Sequence, residues 1–278
     1  MSPSDFEFLA KLLKDRSGLL LTTDKAYLIE NRLLPVARKR DMADLGQLVR
    51  ALMANDQALT KDVVEAMTTN ESFFFRDNTP FDLFRDQILP ALLQRRSAQR
   101  SLRIWCAAAS TGQEPYSLAM ILKENAAKLA GWRIEIVGTD ISTEVLKRAK
   151  EGIYNQFEVQ RGLPIALLVK YFKKVGDHWQ IDQSLRSMIN YQFFNLLNDP
   201  KPLGNFDIVF CRNVLIYFDP PTKTKVLDGI SRQLATDGYL FLGGSETVLG
   251  LSQKLQPVPQ MRGVYGQIAA QAANAPTR

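Results

Sequence analysis

The sequence predicts an α/β fold, a mainly parallel sheet with helices on both faces, preceded by an all-α N-terminal domain. Residues 1 to about 75 carry apolar side chains at helical spacing and no convincing strand pattern. From Leu102 onward, short apolar runs alternate with amphipathic stretches, the pattern of strands and crossover helices. A length of 278 residues leaves room for one large domain or two smaller ones.

In chain order, Phe6, Leu9, Leu12 and Leu13 share one helix face. Lys25–Arg40 reads as a helix that Pro35 should kink or interrupt. Leu45, Leu48, Val49, Leu52 and Met53 fit a third helix, with Asp44 as its cap, and Val63, Val64 and Met67 mark a short fourth. Thr79-Pro80 opens the next, with Phe81, Phe84 and Ile88 on one face. Strands are expected at 102–107, 134–139, 189–194, 206–211 and 238–242, and helices near 115–128, 143–150 and 220–235, the last capped by Asp219 before two prolines. Gly263–Ile268 should add an edge strand. Residues 172–192, with Gly176-Asp177 between two polar runs, read as a small antiparallel insertion, and the Ala- and Gln-rich tail 269–278 as disordered.

Composition narrows the chemistry. The 46% hydrophobic and 23% charged content is that of a soluble globular protein. No uncharged apolar run approaches the roughly 18 to 20 residues a bilayer requires, and the N-terminus lacks a secretory pattern, so a cytoplasmic location is expected. Cys106 and Cys211 lie in apolar strand-like runs and read as core residues. With His178 as the single histidine, a His-based metal site or a Ser-His-Asp triad is close to excluded, and no metal is expected. The net charge of +6 favours an acidic partner, although it equally suits a mildly basic soluble protein.

Three segments carry candidate chemistry. In the first, a strand ending at Cys106 runs into the small-residue turn Ala107–Gly112 and then a helix start at Pro115 carrying Glu114. A turn of small residues lets a ligand approach the backbone and the first N–H groups of the helix. The next strand ends on Asp140, where α/β nucleotide folds hold ribose hydroxyls, so the pair suggests a nucleoside-containing cofactor. Glu114 suits a cofactor ammonium, or it merely stabilises the helix start. In the second, Thr68–Arg76 gathers hydroxyls, an amide and three phenylalanines ahead of Arg76. Arg76 could grip a carboxylate, or the run could be an apolar staple between domains with a surface arginine. In the third, the strand 206–211 delivers Arg212, Asn213 and Tyr217 to its carboxyl end, while Asn195-Leu196 follow another strand end and could meet a base ring. Arg32, Arg38, Lys39 and Arg40 form a basic cluster, either a solvated helix face or a dock for an acidic partner.

Four blocks in series, Thr69–Arg76, Ala107–Ser117, Thr139–Ile141 and Phe210–Phe218, resemble the bacterial chemotaxis receptor methyltransferases, the CheR family, over residues from about 5 to 268. The resemblance implies a Rossmann-like S-adenosylmethionine-dependent methyltransferase domain at 77–278, with a small antiparallel β-subdomain, behind a helical domain at 1–76. It implies methyl transfer to glutamate side chains of chemoreceptor cytoplasmic helices, with S-adenosylhomocysteine as product, by an enzyme recruited to receptor arrays. By matched position, Glu114 would hold the cofactor's amino group, Asp140 its ribose and Asn195-Leu196 its adenine end. Asn70, Ser72, Arg76, Ala107, Arg212 and Asn213 would complete the pocket, with Arg76, Tyr217 and Arg212 as catalytic residues. The basic cluster gains a partner in glutamate-rich receptor helices.

Two departures are visible. Ser72 stands where the family often has Thr, and Gln113 where Glu is frequent. The turn Lys173–His178 is shorter than the Gly-containing loop of members that tether to a receptor's C-terminal pentapeptide, so no such tethering is expected, and a monomer is. The other readings are a nucleic-acid methyltransferase, a NAD-dependent oxidoreductase and a cofactor-sensing adaptor. The first lacks stacking platforms, so no nucleic-acid partner is expected, and the second lacks a G-x-G-x-x-G turn.

Overall fold

The computed structural model describes residues 1–268; the tail predicted at 269–278 lies outside the described residues. Four helices, α1 (Pro3–Ser17), α2 (Ala26–Lys39), α3 (Leu45–Met53) and α4 (Gln57–Met67), pack around their own apolar cluster of Leu9, Leu13, Ile29, Leu33, Leu48, Leu52, Leu59 and Val63. Ser2 and Asp5 form a reciprocal capping box at the start of α1, and Asp44 accepts from the Gln47 N–H at 2.8 Å as the predicted cap of α3. Helix α2 runs through Pro35 without interruption. The carbonyl four residues earlier, on Asn31, loses its donor, but Asn31 and Pro35 are both exposed and water can supply the missing bond.

A longer helical stretch follows, from α5 (Thr79–Leu83) through a wide turn at Phe84–Ile88 to α6 (Leu89–Arg95), with Phe81, Phe84 and Ile88 all buried as the spacing predicts. Arg96 then pins this stretch to the sheet through ion pairs with Asp207 and Asp237.

The main sheet holds β1 (Ser101–Cys106), β2 (Arg133–Asp140), β6 (Ile189–Phe193), β7 (Phe206–Cys211), β8 (Leu234–Leu242), β9 (Leu255–Pro257) and β10 (Val264–Gln267), in the order β6-β2-β1-β7-β8-β10-β9. The first five run parallel, and β10 pairs antiparallel with both β8 and β9. Strand β10 therefore lies inside the sheet; the edge expected for it belongs to β9, a three-residue strand too short to announce itself by alternation. Successive residues of β1 serve opposite cores, Ile104 and Cys106 on one face and Trp105 on the other. Trp105 can be fully buried because its indole N–H donates to Thr139 Oγ1 at 2.8 Å. Both cysteines are buried and unpaired.

The crossovers are α7 (Gln113–Glu124), α8 (Thr143–Glu151) and α12 (Pro220–Gln233), the last capped by Asp219. Helix α7 begins two residues before the predicted Pro115, which still sits in the first turn where no N–H is needed.

The small antiparallel sheet differs at its edges from the expected 172–192. It is built from β3 (Ile153–Asn155), β4 (Phe172–Val175) and β5 (His178–Ile181) in the order β3-β5-β4. Two helices, α9 (Gln156–Gln160) and α10 (Ile165–Tyr171), lie between β3 and β4, and α11 (Gln183–Arg186) follows β5. The Asn155–Glu158 capping box signals α9, and β6 returns to the main sheet.

Candidate active site

Strand order reverses around β1: the chain winds outward through β2 and β6, then crosses back to β7 on the other side. In open parallel sheets, the crevice outside the carboxyl ends at such a point is where ligands bind. A cleft of about 990 Å³, its open mouth included, lies against the loops that leave β1, β2, β6 and β7. It is lined by Asn70, Ser72, Arg76, Ala107, Glu114, Asp140, Asn195, Leu196, Arg212, Asn213 and Tyr217, so every residue assigned to cofactor or catalysis from the sequence meets there.

The turn after β1 is sewn into the sheet on both sides. Ala107 N–H donates to the Phe210 carbonyl (2.8 Å) and Ala109 N–H to the Thr139 carbonyl (2.9 Å). Ser110 takes a left-handed conformation with φ of 48° and donates its N–H to Asp140 (2.9 Å). Gly112 has φ of 95°, and a Cβ there would lie 2.7 Å from the Tyr191 hydroxyl, so both conformation and space require glycine.

Asp140 is buried, and a second backbone donor, Ser142 N–H at 2.9 Å, fixes its carboxylate. Burial pushes its pKa up, against the opposing pull of the backbone N–H groups around it.

Glu114 and Arg212 form a buried pair, Arg212 Nη1 donating to Glu114 Oε2 at 2.9 Å. Arg212 Nη2 donates to the Arg76 carbonyl (2.9 Å) and to Asp77 (2.7 Å). Desolvation raises the Glu114 pKa, and the guanidinium pulls it back. Within this pair, two polar atoms have no hydrogen-bond partner among the described residues: Glu114 Oε1, and Arg212 Nε, which is buried. Arg76 donates Nη1 to the Glu71 carbonyl at 2.8 Å and leaves its other donors free, while the hydroxyl groups of Tyr217 and Ser72 have no hydrogen-bond partner among the described residues.

The phenylalanine run serves both readings open in the sequence. Phe74 is an apolar anchor, buried edge-on against Tyr154 (5.0 Å) and Phe172 (5.6 Å), and Arg76 nevertheless reaches the cleft.

The helical domain supplies the remaining wall through Ser17, Leu19 and Met67–Thr69. Asn195 donates to the Arg16 carbonyl (2.7 Å) and accepts from Leu197 N–H (3.0 Å), so its amide is largely committed to holding that wall. The basic cluster is divided. Arg32 donates to the carbonyls of Met67 and Thr68 and to Thr69 Oγ1, and Arg40 pairs with Asp62 at 2.6 Å. Arg38 and Lys39 are exposed and free of ion pairs among the described residues. Sequence reasoning missed Glu246, whose carboxylate accepts five backbone N–H bonds beside the cleft; the Gly243-Gly244 pair after β8 was its one visible signal.

This sheet order and this cleft, an acid at the end of β2 beside a small-residue turn, define an α/β enzyme built for a nucleoside cofactor. Residues 70–264 match the family described as CheR methyltransferase, SAM binding domain, and residues 4–68 its all-alpha domain. A chemotaxis protein methyltransferase of Pseudomonas aeruginosa is 40% identical over 94% of this chain and 96% of its own length. A second, from Pseudomonas putida, is 39% identical over 95% and 97%, and one from Vibrio parahaemolyticus is 36% identical over 93% and 94%. The chain belongs to the CheR methyltransferase family. It is an S-adenosylmethionine-dependent methyltransferase of chemotaxis.

The residues present fit that cofactor. The free oxygen of Glu114 suits an ammonium, the unpartnered Arg212 Nε suits a carboxylate, and Asp140, each oxygen fixed by one backbone N–H with acceptor capacity to spare, suits a diol.

Proposed function

We propose that this enzyme methylates glutamate side chains of chemoreceptor cytoplasmic helices, yielding γ-glutamyl methyl esters. The observation that carries the reading is the arginine pair in one cleft, with Arg212 neutralised by Glu114 while Arg76 keeps free donors. S-adenosylmethionine bound there would supply a methyl group on a cationic sulfur, leaving as S-adenosylhomocysteine, and a substrate carboxylate that is already ionised would need no general base to take it. Glu114 holds the amino group, Asp140 the ribose and Leu196, with what remains of Asn195, the adenine end. Ala107, Asn70, Ser72 and Asn213 complete the wall. Arg76 and Tyr217 orient the incoming carboxyl, and the enclosing walls strip its water, so positioning and desolvation carry the rate.

Docking rests on Arg38 and Lys39, since Arg32 is held by the carbonyls of Met67 and Thr68 and Arg40 by Asp62, and weakens with salt over a screening length of roughly 8–10 Å. The protein works as a monomer in the cytoplasm, recruited to receptor arrays; the short Gly176-Asp177 turn supports recruitment without pentapeptide tethering. Its domains divide at residue 76. No helix among the described residues is long and apolar enough to cross a membrane.

The test is transfer of radiolabelled methyl groups to chemoreceptor-containing membranes. Base-labile label on the receptor is expected. Label that survives base, or unchanged rates in both Arg76→Ala and Tyr217→Phe at saturating cofactor, would overturn the reading.

A further inference from the structure

Glu246 lies on the loop after β8, 9% exposed, and makes no ion pair among the described residues. Its charge is met by peptide dipoles instead. Oε1 accepts from the N–H groups of Val214 (2.9 Å), Leu215 (2.7 Å) and Ile216 (3.3 Å), and Oε2 from those of Asn213 (2.8 Å) and Gly243 (2.6 Å). Val214 to Ile216 open the single helical turn Leu215–Tyr217, whose first N–H groups have no partner of their own. Asn213 sits at φ of 57°, a left-handed conformation that asparagine tolerates better than most side chains and that turns its N–H toward Glu246. A Cβ on Gly243 would lie 2.7 Å from Glu246 Oε2 and 2.8 Å from Asn213 Nδ2, so the glycine admits the carboxylate.

We propose that Glu246 is a positioning residue for methyl transfer: its carboxylate fixes the segment Arg212–Tyr217, which presents Arg212, Asn213 and Tyr217 to the cleft from the end of β7. Glu246 is not among the residues that line the cleft. It acts through the backbone of that segment, and the inference rests on the carboxyl-orienting role proposed for Tyr217. The chemistry is particular to a carboxylate. Glutamine offers one acceptor oxygen and turns an NH₂ toward N–H groups that need acceptors.

The test is Glu246→Gln, assayed for methyl transfer to receptor membranes at saturating cofactor, alone and with Tyr217→Phe. The expected loss in kcat is about 10- to 100-fold, the scale of a misplaced reacting group, in protein that remains folded by circular dichroism. The double variant should be little slower than the slower single one, because both changes disable the same group. Wild-type kcat in folded Glu246→Gln overturns the proposal, and so do losses that multiply. Should Glu246→Gln not fold, Gly243→Ala presses on the same carboxylate and must give the same signature. If the wild-type chain labels no receptor, the substrate reading fails. Calorimetry with S-adenosylhomocysteine then decides the inference: weaker binding to Glu246→Gln upholds it, and equal affinity overturns it.

Discussion

The two walls of the cleft are held by different physics. On the sheet side, strand ends and buried charges leave little freedom: Glu114, Arg212, Asp140 and Glu246 are all buried and tied to backbone or to one another. On the helical side, the contacts are fewer and wetter. Glu65 on α4 accepts from Ser142 Oγ, Thr143 Oγ1 and Glu144 N–H at the start of α8, Lys14 pairs with Asp219, and Leu20 N–H donates to the Tyr217 carbonyl. Buried, mutually dependent charges fail all at once, whereas exposed contacts fail one at a time. The cofactor side is thus preorganised, and the helical wall is attached to it by separable bonds.

The sharpest way to break this contrast is Glu114→Ala. It leaves the Arg212 guanidinium buried with half its charge partners, which costs about 3–5 kcal/mol of stability. Denaturant unfolding would register it, and S-adenosylhomocysteine binding by calorimetry should be lost. A loss below about 1 kcal/mol would mean that the sheet side is no more rigid than the helical one.

Asp140→Asn comes next. Removing a charged acceptor weakens S-adenosylhomocysteine binding by about 1.5–3 kcal/mol. The wild type also carries a pH signature. Burial raises the Asp140 pKa above its ordinary 3.8, so the ionised acceptor is lost as pH falls through that raised value, in acid milder than a free aspartate requires. Affinity measured down a pH series should fall there in the wild type and stay flatter in Asp140→Asn.

The contrast between the walls also explains what the sequence made legible. Strand-and-turn chemistry is local: the small-residue turn, Glu114, Asp140 and Arg212 sit at strand ends, and their gathering at one cleft follows from a parallel sheet. Beyond the Gly243-Gly244 pair, nothing marked Glu246, because its role depends on five N–H groups, four of them some thirty residues away. The helical wall was illegible for a similar reason. Nothing in Arg32 marks it as a clamp on the end of α4 rather than a solvated cation, since its acceptors lie 35 to 37 positions along the chain. The edge strand β9 and helices α9 and α10 were too short for periodicity to resolve.

On the helical wall, Glu65→Ala removes one carboxylate that receives three donors, including an N–H of the first turn of α8. Loss of such a cap costs about 1–2 kcal/mol. The expected result is a lower unfolding midpoint with S-adenosylhomocysteine affinity nearly unchanged, since Asp140 keeps its own backbone donors. A large loss of affinity would join the two walls into one unit.

The smallest effect belongs to Asp219, which links α1 to α12 through Lys14 at 2.6 Å and caps α12 through Thr222 N–H at 3.0 Å. Those bonds lower its pKa from 3.8 to about 2, with the hydrogen bond from Lys14 as the largest cause. A depressed carboxylate stabilises the fold above its unfolded pKa, and the contribution drains away as pH falls through the folded one. Its window therefore runs from about pH 4 down to about pH 2. Asp219→Asn should leave neutral-pH stability little changed, because the lysine side of the pair is solvated and such exposed pairs add little. The acid limb of the unfolding curve, followed by circular dichroism, should flatten in the variant within that window. An unchanged acid limb would show that the bond between Lys14 and Asp219 does not hold in solution, and the helical wall would then hang on Glu65, Asn195 and the Leu20–Tyr217 backbone bond.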